Sequence, residues 1–387
     1  MRSKLGLFSE LIANIVVNKQ AIDQVVPYLN GKAYRNIVMI ADKNTYAAAG
    51  SIVQEQCMEA GLVSRVILIH PNSIGDVVAD EASIVQCMLE ISADTEVLLA
   101  VGTGTIHDIV RFVGSRMMKP FISIPTAASV DGFTSAGAPL IIRGFKQTIQ
   151  AIPPEAIFAD TTILMNAPKQ LTAAGFGDMF GKYTSLFDWR FSHLMGGEPY
   201  NEELAAETSA ALEACIVNID AISRGDEEGV TILMNSLIQS GLVMLKLGMS
   251  HPASGAEHHL SHYWEMEHIQ HGEPQLLHGL KVGFAAIHIS KLYHQFADRM
   301  DRMISNETPV TENMEQQRKL MIHWNELRAG IAAIPQPEKL TEMLTLTGGS
   351  PDQLSISTDA VERGLEHAHT VRNRYTLLRF INEEVNK

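Results

Sequence analysis

The chain has 387 residues, a formal net charge of −14, and apolar and charged shares of 46% and 19%. That length exceeds one small domain and suits two units with separate cores. The acid excess argues against a general binder of nucleic-acid backbones. The lack of an uninterrupted apolar run of about 18 residues argues against a membrane span.

The opening Met-Arg-Ser-Lys lacks the apolar stretch of a secretory leader. Cys57, Cys87 and Cys215 are widely spaced, odd in number and set among apolar neighbours in helical patterns. They read as buried core thiols in a cytoplasmic protein.

From Asn36 to about Asp160, short β-branched runs at 37–42, 66–69, 96–102 and 121–125 alternate with longer helical patterns. This predicts βαβ units and a mostly parallel sheet. Asp42 ends the first run, where a carboxylate can accept from ribose hydroxyls and repel a 2′-phosphate, favouring NAD over NADP. It can equally cap the helix that follows.

The third run leads into Gly102-Thr-Gly104-Thr105-Ile106-His107-Asp108, a glycine turn opening a helix whose N–H groups suit a phosphate. His107 replaces the third glycine of the usual dinucleotide fingerprint, and the turn does not follow the first strand. The fourth run ends in Thr126-Ala127-Ala128-Ser129-Val130-Asp131, with Ser135 just beyond, a stretch without bulk that can lie beneath a pyrophosphate or nicotinamide.

After Pro168 the pattern becomes helical, at about 203–222, 230–248, 252–268, 276–297 and 316–330, with no internal repeat. The predicted division is an α/β nucleotide-binding unit, 1–165, and an all-α unit, 166–387. The active site is expected in the cleft between them.

The helical half carries the metal-binding pattern. His258 and His262, four residues apart, share a helix face, with Glu257 beside them and His278 twenty residues beyond His258. Asp178 lies upstream in Gly175-Phe-Gly-Asp-Met-Phe-Gly-Lys182. An Asp/His/His set suits one divalent cation with coordination positions left open, and ligand type does not choose among Zn²⁺, Ni²⁺ and Fe²⁺. His251, His259, His268, His271 and His288 crowd the same region, and His268 and His271 compete with His278 for the third ligand position.

Together, Gly102–Asp108, the 125–132 stretch, Gly177-Asp178 through Asp188-Trp-Arg190, Ser254-Gly-Ala-Glu-His258 with Ser261-His262, and Leu277-His278-Gly279 resemble the sn-glycerol-1-phosphate dehydrogenase family. The wider group holds glycerol dehydrogenases, iron-type alcohol dehydrogenases and dehydroquinate synthase. The likeness spans about residues 36–290.

The resemblance implies a Rossmann-like first domain and a helical second one, in the dehydroquinate synthase-like fold. It implies a metal held by Asp178, His258 and His278, and NAD contacted by Asp42, the turn Gly102 to Asp108, Thr126 to Ser129, and Ser135. Substrate would meet Asp131, Asp178 and His262, with Asp131 and His262 catalytic. The implied reaction interconverts dihydroxyacetone phosphate and sn-glycerol 1-phosphate in a homodimer, with NADP open as a second coenzyme.

Two departures stand out: Gly-Thr-Gly where relatives commonly carry three glycines, and Val130 where some carry a polar residue. Lys146, Lys182, Arg190 and Lys281 are candidates for the substrate phosphate. A free polyol remains an alternative substrate. A lyase of the dehydroquinate synthase type is disfavoured because those relatives place a glutamate at the position of Asp178.

Overall fold

The computed structural model describes residues 12–305 and 315–385. The opening Met-Arg-Ser-Lys, on which the reading of the leader rests, lies outside the described residues. Among the described residues there are eight strands: β1 (Asn14–Asn18), β2 (Asn36–Ala41), β3 (Val63–Leu68), β4 (Val97–Gly102), β5 (Phe121–Pro125), β6 (Gly137–Ile142), β7 (Phe145–Gln150) and β8 (Ala156–Asp160). Six form one parallel sheet in the order β1-β8-β5-β4-β2-β3.

β4, β5 and β8 are buried along their whole length, as their unbroken apolar runs require of central parallel strands covered on both faces. β3 lies at the edge and alternates toward solvent. The four strands predicted from β-branched runs are present within a few residues of their predicted bounds.

β1 and the β6–β7 hairpin carry weaker sequence signals. β1 is five residues flanked by asparagine and exists by pairing with β8 from Asn14↔Ala156 to Asn18↔Asp160. The hairpin turns through Arg143 and Gly144, both at positive φ (52° and 77°), the two-residue geometry that matches strand twist.

The helices of the second half follow the predicted periodicity with shifted ends. The 203–222 pattern is broken at Asn218 into Glu202–Val217 and Ile219–Arg224; the others are Glu227–Leu247, Ala256–His271, His278–Ser305 and Glu315–Ala333. Glu227–Leu247 is long and apolar enough by composition to cross a membrane. Here it is a core helix, with Val230, Leu233, Met234, Leu237, Ile238 and Leu242 buried against Phe176, Phe180 and Ile157. Cys57, Cys87 and Cys215 are buried, and burial pushes their thiols up to about 11, 12 and 12.

Three helix–backbone approaches place the later site. Helix Lys169–Phe180 lies so close to helix His278–Ser305 that a Cβ on Gly279 would fall 1.8 Å from the Ala174 carbonyl oxygen, and one on Gly177 2.4 Å from that of Gly279. On its other side the first helix meets the turn after β5, where a Cβ on Gly175 would fall 2.0 Å from the Ala128 carbonyl oxygen. Only residues without a side chain permit these contacts. Gly279→Ala should therefore overpack the helix pair at a cost of at least about 1–3 kcal/mol, read as a lowered Tm. Gly31→Ala, where a Cβ meets nothing within 4 Å, should be neutral or stabilising.

Candidate active site

A cavity of about 770 Å³ lies between the carboxyl ends of the sheet strands and the helical half. From the α/β side it is walled by Thr103, Gly104, Thr105, Asp108, Ser129, Asp131 and Ser135. His258, His262 and His278 face it from the helical side. Two links cross it: the Gln275 N–H donates to Asp76 Oδ2 at 3.0 Å, and Lys146 Nζ, on the hairpin, donates to both oxygens of Glu265 at 2.8 and 2.9 Å.

At its floor the ligand-type atoms of Asp178, His258 and His278 lie within 4.8 Å of one another. Asp178 comes from the glycine-packed helix, His278 is the first residue of the helix it packs on, and His258 stands in the first turn of Ala256–His271. His258 Nε2 is 3.6 Å from Asp178 Oδ1, too long for a hydrogen bond. The buried His278 Nδ1 has no hydrogen-bond partner among the described residues. A carboxylate and two imidazoles converging in this way fit a divalent cation.

His268, by contrast, faces Glu273 at 3.2 Å and His271 is exposed, so neither joins the group.

The surroundings orient these groups. His258 Nδ1 is 2.8 Å from Glu257 Oε1, leaving Nε2 toward Asp178, while the fully buried Glu257 also accepts from the Gly255 N–H at 2.7 Å and the Thr184 hydroxyl at 2.6 Å. The helix bearing His258 begins at Ala256 because its first N–H donates to Asp188 Oδ2 at 2.8 Å. Asp188 also accepts from Tyr293 Oη and the Leu377 N–H. Burial pushes its carboxyl up to about 7.

Asp178 Oδ2 accepts from the Asp131 N–H at 2.9 Å, which ties the turn after β5 to the floor. Lys182, one helical turn beyond Asp178 and fully buried, sits 2.8 Å from Asp131 Oδ2 and 3.4 Å from Asp178 Oδ1. Burial disfavours its charge, but the two carboxylates outweigh this and raise its pKa. Burial would likewise raise Asp178, yet Lys182 and the neighbouring histidines hold it well below the carboxylate range. Asp131 also accepts from Ser240 at 2.8 Å, and burial followed by the Asp178 charge raises it. His278 is pushed down to about 3 by burial and is a neutral imidazole.

His262, expected beside His258, lies 6.4 Å from it between ring centroids. It has a different partner, an Arg372 N–H 3.3 Å from Nε2. Burial and then that guanidinium keep it well below the usual histidine range.

On the nucleotide side several residues have inward-facing structural tasks and do not line the cavity. His107 is fully buried, its ring nitrogens 2.8 Å from the Thr103 carbonyl oxygen and 2.7 Å from Ser123 Oγ, so it props the glycine turn from below. Ile106 belongs to the apolar core, and Gly102, Thr126, Ala127 and Ala128 are buried behind the wall. Asp42 Oδ1 accepts from the Asn44 and Thr45 N–H groups in a capping box. Gly104, Thr105, Asp108, Ser129 and Ser135 do face the cavity. Asp108 is bound at 2.6 Å by the buried Arg111, which also donates to the Gly132 carbonyl oxygen.

Of the phosphate candidates, Lys182 and Lys281 are buried in ion pairs. Arg190 pairs with Glu326, and Lys146 reaches the cavity but is held by Glu265. Arg372, Asp76 and Arg111 had no distinguishing sequence pattern. Lys182 had one, since its i, i+4 spacing from Asp178 on a helix predicts an ion pair.

Residues 16–168 match the family model described as iron-containing alcohol dehydrogenase. The chain is 46% identical over 384 residues to a protein of Geobacillus stearothermophilus named glycerol-1-phosphate dehydrogenase, NAD(P)+, covering 96% of this chain and 93% of that one. It is 42% identical over 374 residues to the Bacillus subtilis protein of the same name, covering 96% and 91%. In structure it resembles a probable glycerol dehydrogenase from Sinorhizobium meliloti 1021, with TM-score 0.65, 17% identity, and coverage of 93% and 89%.

Because Glu257 orients His258, Glu257→Gln should weaken divalent-metal affinity by about 10–100-fold, measured by competition with a chromogenic chelator.

Proposed function

The chain belongs to the glycerol-1-phosphate dehydrogenase family, and from that premise we propose that the cavity converts dihydroxyacetone phosphate, NAD(P)H and a proton into sn-glycerol 1-phosphate and NAD(P)+, and the reverse. The single observation that carries the reading is the Asp178, His258 and His278 group at the floor of a cavity whose opposite wall is a glycine turn opening a helix. A divalent cation there supplies Lewis acidity toward a carbonyl oxygen, and a nicotinamide coenzyme supplies the hydride.

The remaining roles belong to the chain's own residues. Asp178, His258 and His278 would hold the cation, the first ionised beside Lys182 and the second aimed by Glu257. Lys182 offsets the like charges of Asp131 and Asp178, so both carboxylates can stand together in a buried floor. Asp131 would accept from the substrate's hydroxymethyl group, and His262 would hold the reacting hydroxyl and hand on its proton.

Gly104 and Thr105, at the helix start, would receive the coenzyme's pyrophosphate, with Ser129 and Ser135 alongside. Asp42 would face the adenosine ribose from the end of β2, with Gly102, Ile106, His107, Thr126, Ala127 and Ala128 shaping the wall from behind.

We further propose the division 1–165 and 166–387 for the two units, a homodimer, and a cytoplasmic location. Exposed Val63 and Leu68 on the unpaired edge strand β3, with Met88 and Leu89 on the neighbouring helix Glu81–Glu90, support contact with a second copy. Unpaired buried thiols suit a reducing compartment.

NADH oxidation should depend on dihydroxyacetone phosphate, cease after chelation and return with added Zn²⁺, Ni²⁺ or Fe²⁺. Absence of turnover with every one of these metals would refute the reading. Asp178→Ala, His258→Ala and His278→Ala should each lose bound metal in elemental analysis. His262→Ala should keep the metal and lose about 10²–10⁴-fold in kcat, and full metal content in His278→Ala would remove His278 from the ligand set.

A further inference from the structure

The C-terminal segment returns to the cavity after helix Thr358–His367 and the short turn Ala368–Thr370. It is fastened beyond this point: the Tyr375 N–H donates to Glu198 Oε1 at 2.8 Å and the Leu377 N–H to Asp188 Oδ1 at 3.0 Å. Between the turn and these anchors, Val371 and Arg372 line the cavity. The Arg372 guanidinium donates to Ser254 Oγ at 3.2 Å and to His262 Nε2 at 3.3 Å, both on the helical wall.

The electrostatic setting of Arg372 differs from that of four other cations around the site. Lys146 is held by both oxygens of Glu265, Lys281 by the same carboxylate, Lys182 by Asp131 and Asp178, and Arg111 by Asp108. Among the described residues no carboxylate lies within 4.0 Å of Arg372. Its two partners are neutral: a hydroxyl, and an imidazole whose Nε2 accepts because a guanidinium only donates. Burial, then the nearby Arg374, hold its pKa below the usual arginine range, against the opposing charges of Glu265 and Glu257 beyond 4.0 Å.

A desolvated guanidinium without a counter-ion is costly unless an anion arrives. Its planar fork matches two oxygens of one phosphate. One imidazole, His262, separates it from the group at the cavity floor: the His262 and His278 ring centroids are 5.8 Å apart. An anion on Arg372 would thus belong to a molecule whose other end reaches Asp178, His258 and His278. The coenzyme's pyrophosphate is expected on the opposite wall, at Gly104 and Thr105.

We propose that Arg372, with Ser254 beside it, receives the phosphate of the triose phosphate and is the residue that makes the site prefer a phosphorylated substrate over the free triose. This deepens the proposed function and rests on it for the substrate's identity, but not for the presence of an anion site.

The test uses the full-length, metal-loaded protein, with Arg372→Ala, Arg372→Gln and Arg372→Lys folded as wild type by circular dichroism. Calorimetric titration with inorganic phosphate should show binding weakened by about 30-fold or more in the Ala and Gln variants, the lower end expected when one member of a buried charge pair is removed. The Lys variant, which keeps the charge without the fork, should recover part of it. The ratio of kcat/KM for dihydroxyacetone phosphate to that for dihydroxyacetone should fall by a similar factor.

A ratio within threefold of wild type in the Gln variant overturns the proposal. So does a raised KM for NADH with that for dihydroxyacetone phosphate unchanged, which would assign Arg372 to the coenzyme. If wild type binds inorganic phosphate through Arg372 but never reduces dihydroxyacetone phosphate, the anion site stands and the dehydrogenase reading falls.

Discussion

The site depends first on how closely two helices can approach. Asp178 and His278 meet because Gly177 and Gly279 leave nothing between the backbones of Lys169–Phe180 and His278–Ser305, while Gly175 brings the same helix against the turn after β5. Asp178 is thereby carried within reach of the Asp131 N–H on one side and two imidazoles on the other. A methyl group at any of these positions would separate walls that the chemistry needs in contact, and close-packed interiors have little room to yield.

Charge is arranged around that contact. Two buried carboxylates share Lys182, which is itself screened from solvent, so the floor keeps negative charge for a cation while its like charges remain compatible. Glu257 repeats the logic one layer out: buried, saturated by Gly255, Thr184 and His258, it spends its charge on holding one ring in one orientation. The cations near the cavity are thus largely consumed by the protein's own acids, which makes it informative that no carboxylate lies within 4.0 Å of Arg372 among the described residues.

The last part of the chain contributes more than packing. Trp324, Leu327, Leu377, Leu378 and Phe380 close a second core around Phe191 and Phe296, and Asp188 ties Leu377 to the start of the helix that carries His258. The segment that presents Arg372 is thus braced by the same carboxylate that starts the metal-facing helix.

Much of this was legible in the residues. Periodicity placed β2 to β5 and the long helices, though not the buried β8, because an unbroken apolar run or a 3.6-residue stripe has few other uses. Motif spacing pointed to Asp178 and His258 with the third ligand open among His268, His271 and His278, and the family resemblance implied His278. β1 and the hairpin were not legible, since five residues beside asparagines become a strand only when β8 offers its edge. His107, Ile106 and Asp42 read as coenzyme contacts because they sit in a phosphate-type turn or at a strand end. Tertiary packing turned His107 and Ile106 inward, while Asp42 makes the local helix cap that its sequence position equally allowed. His258 and His262 share a face in any helix, but only the fold set one against Asp178 and the other against Arg372. Local sequence thus determined which groups were available and on what elements, and already set Lys182 beside Asp178 and Glu257 beside His258; that Asp178 would meet Asp131 and His258, and His262 meet Arg372, was decided by distant segments brought together by packing that no local pattern encodes.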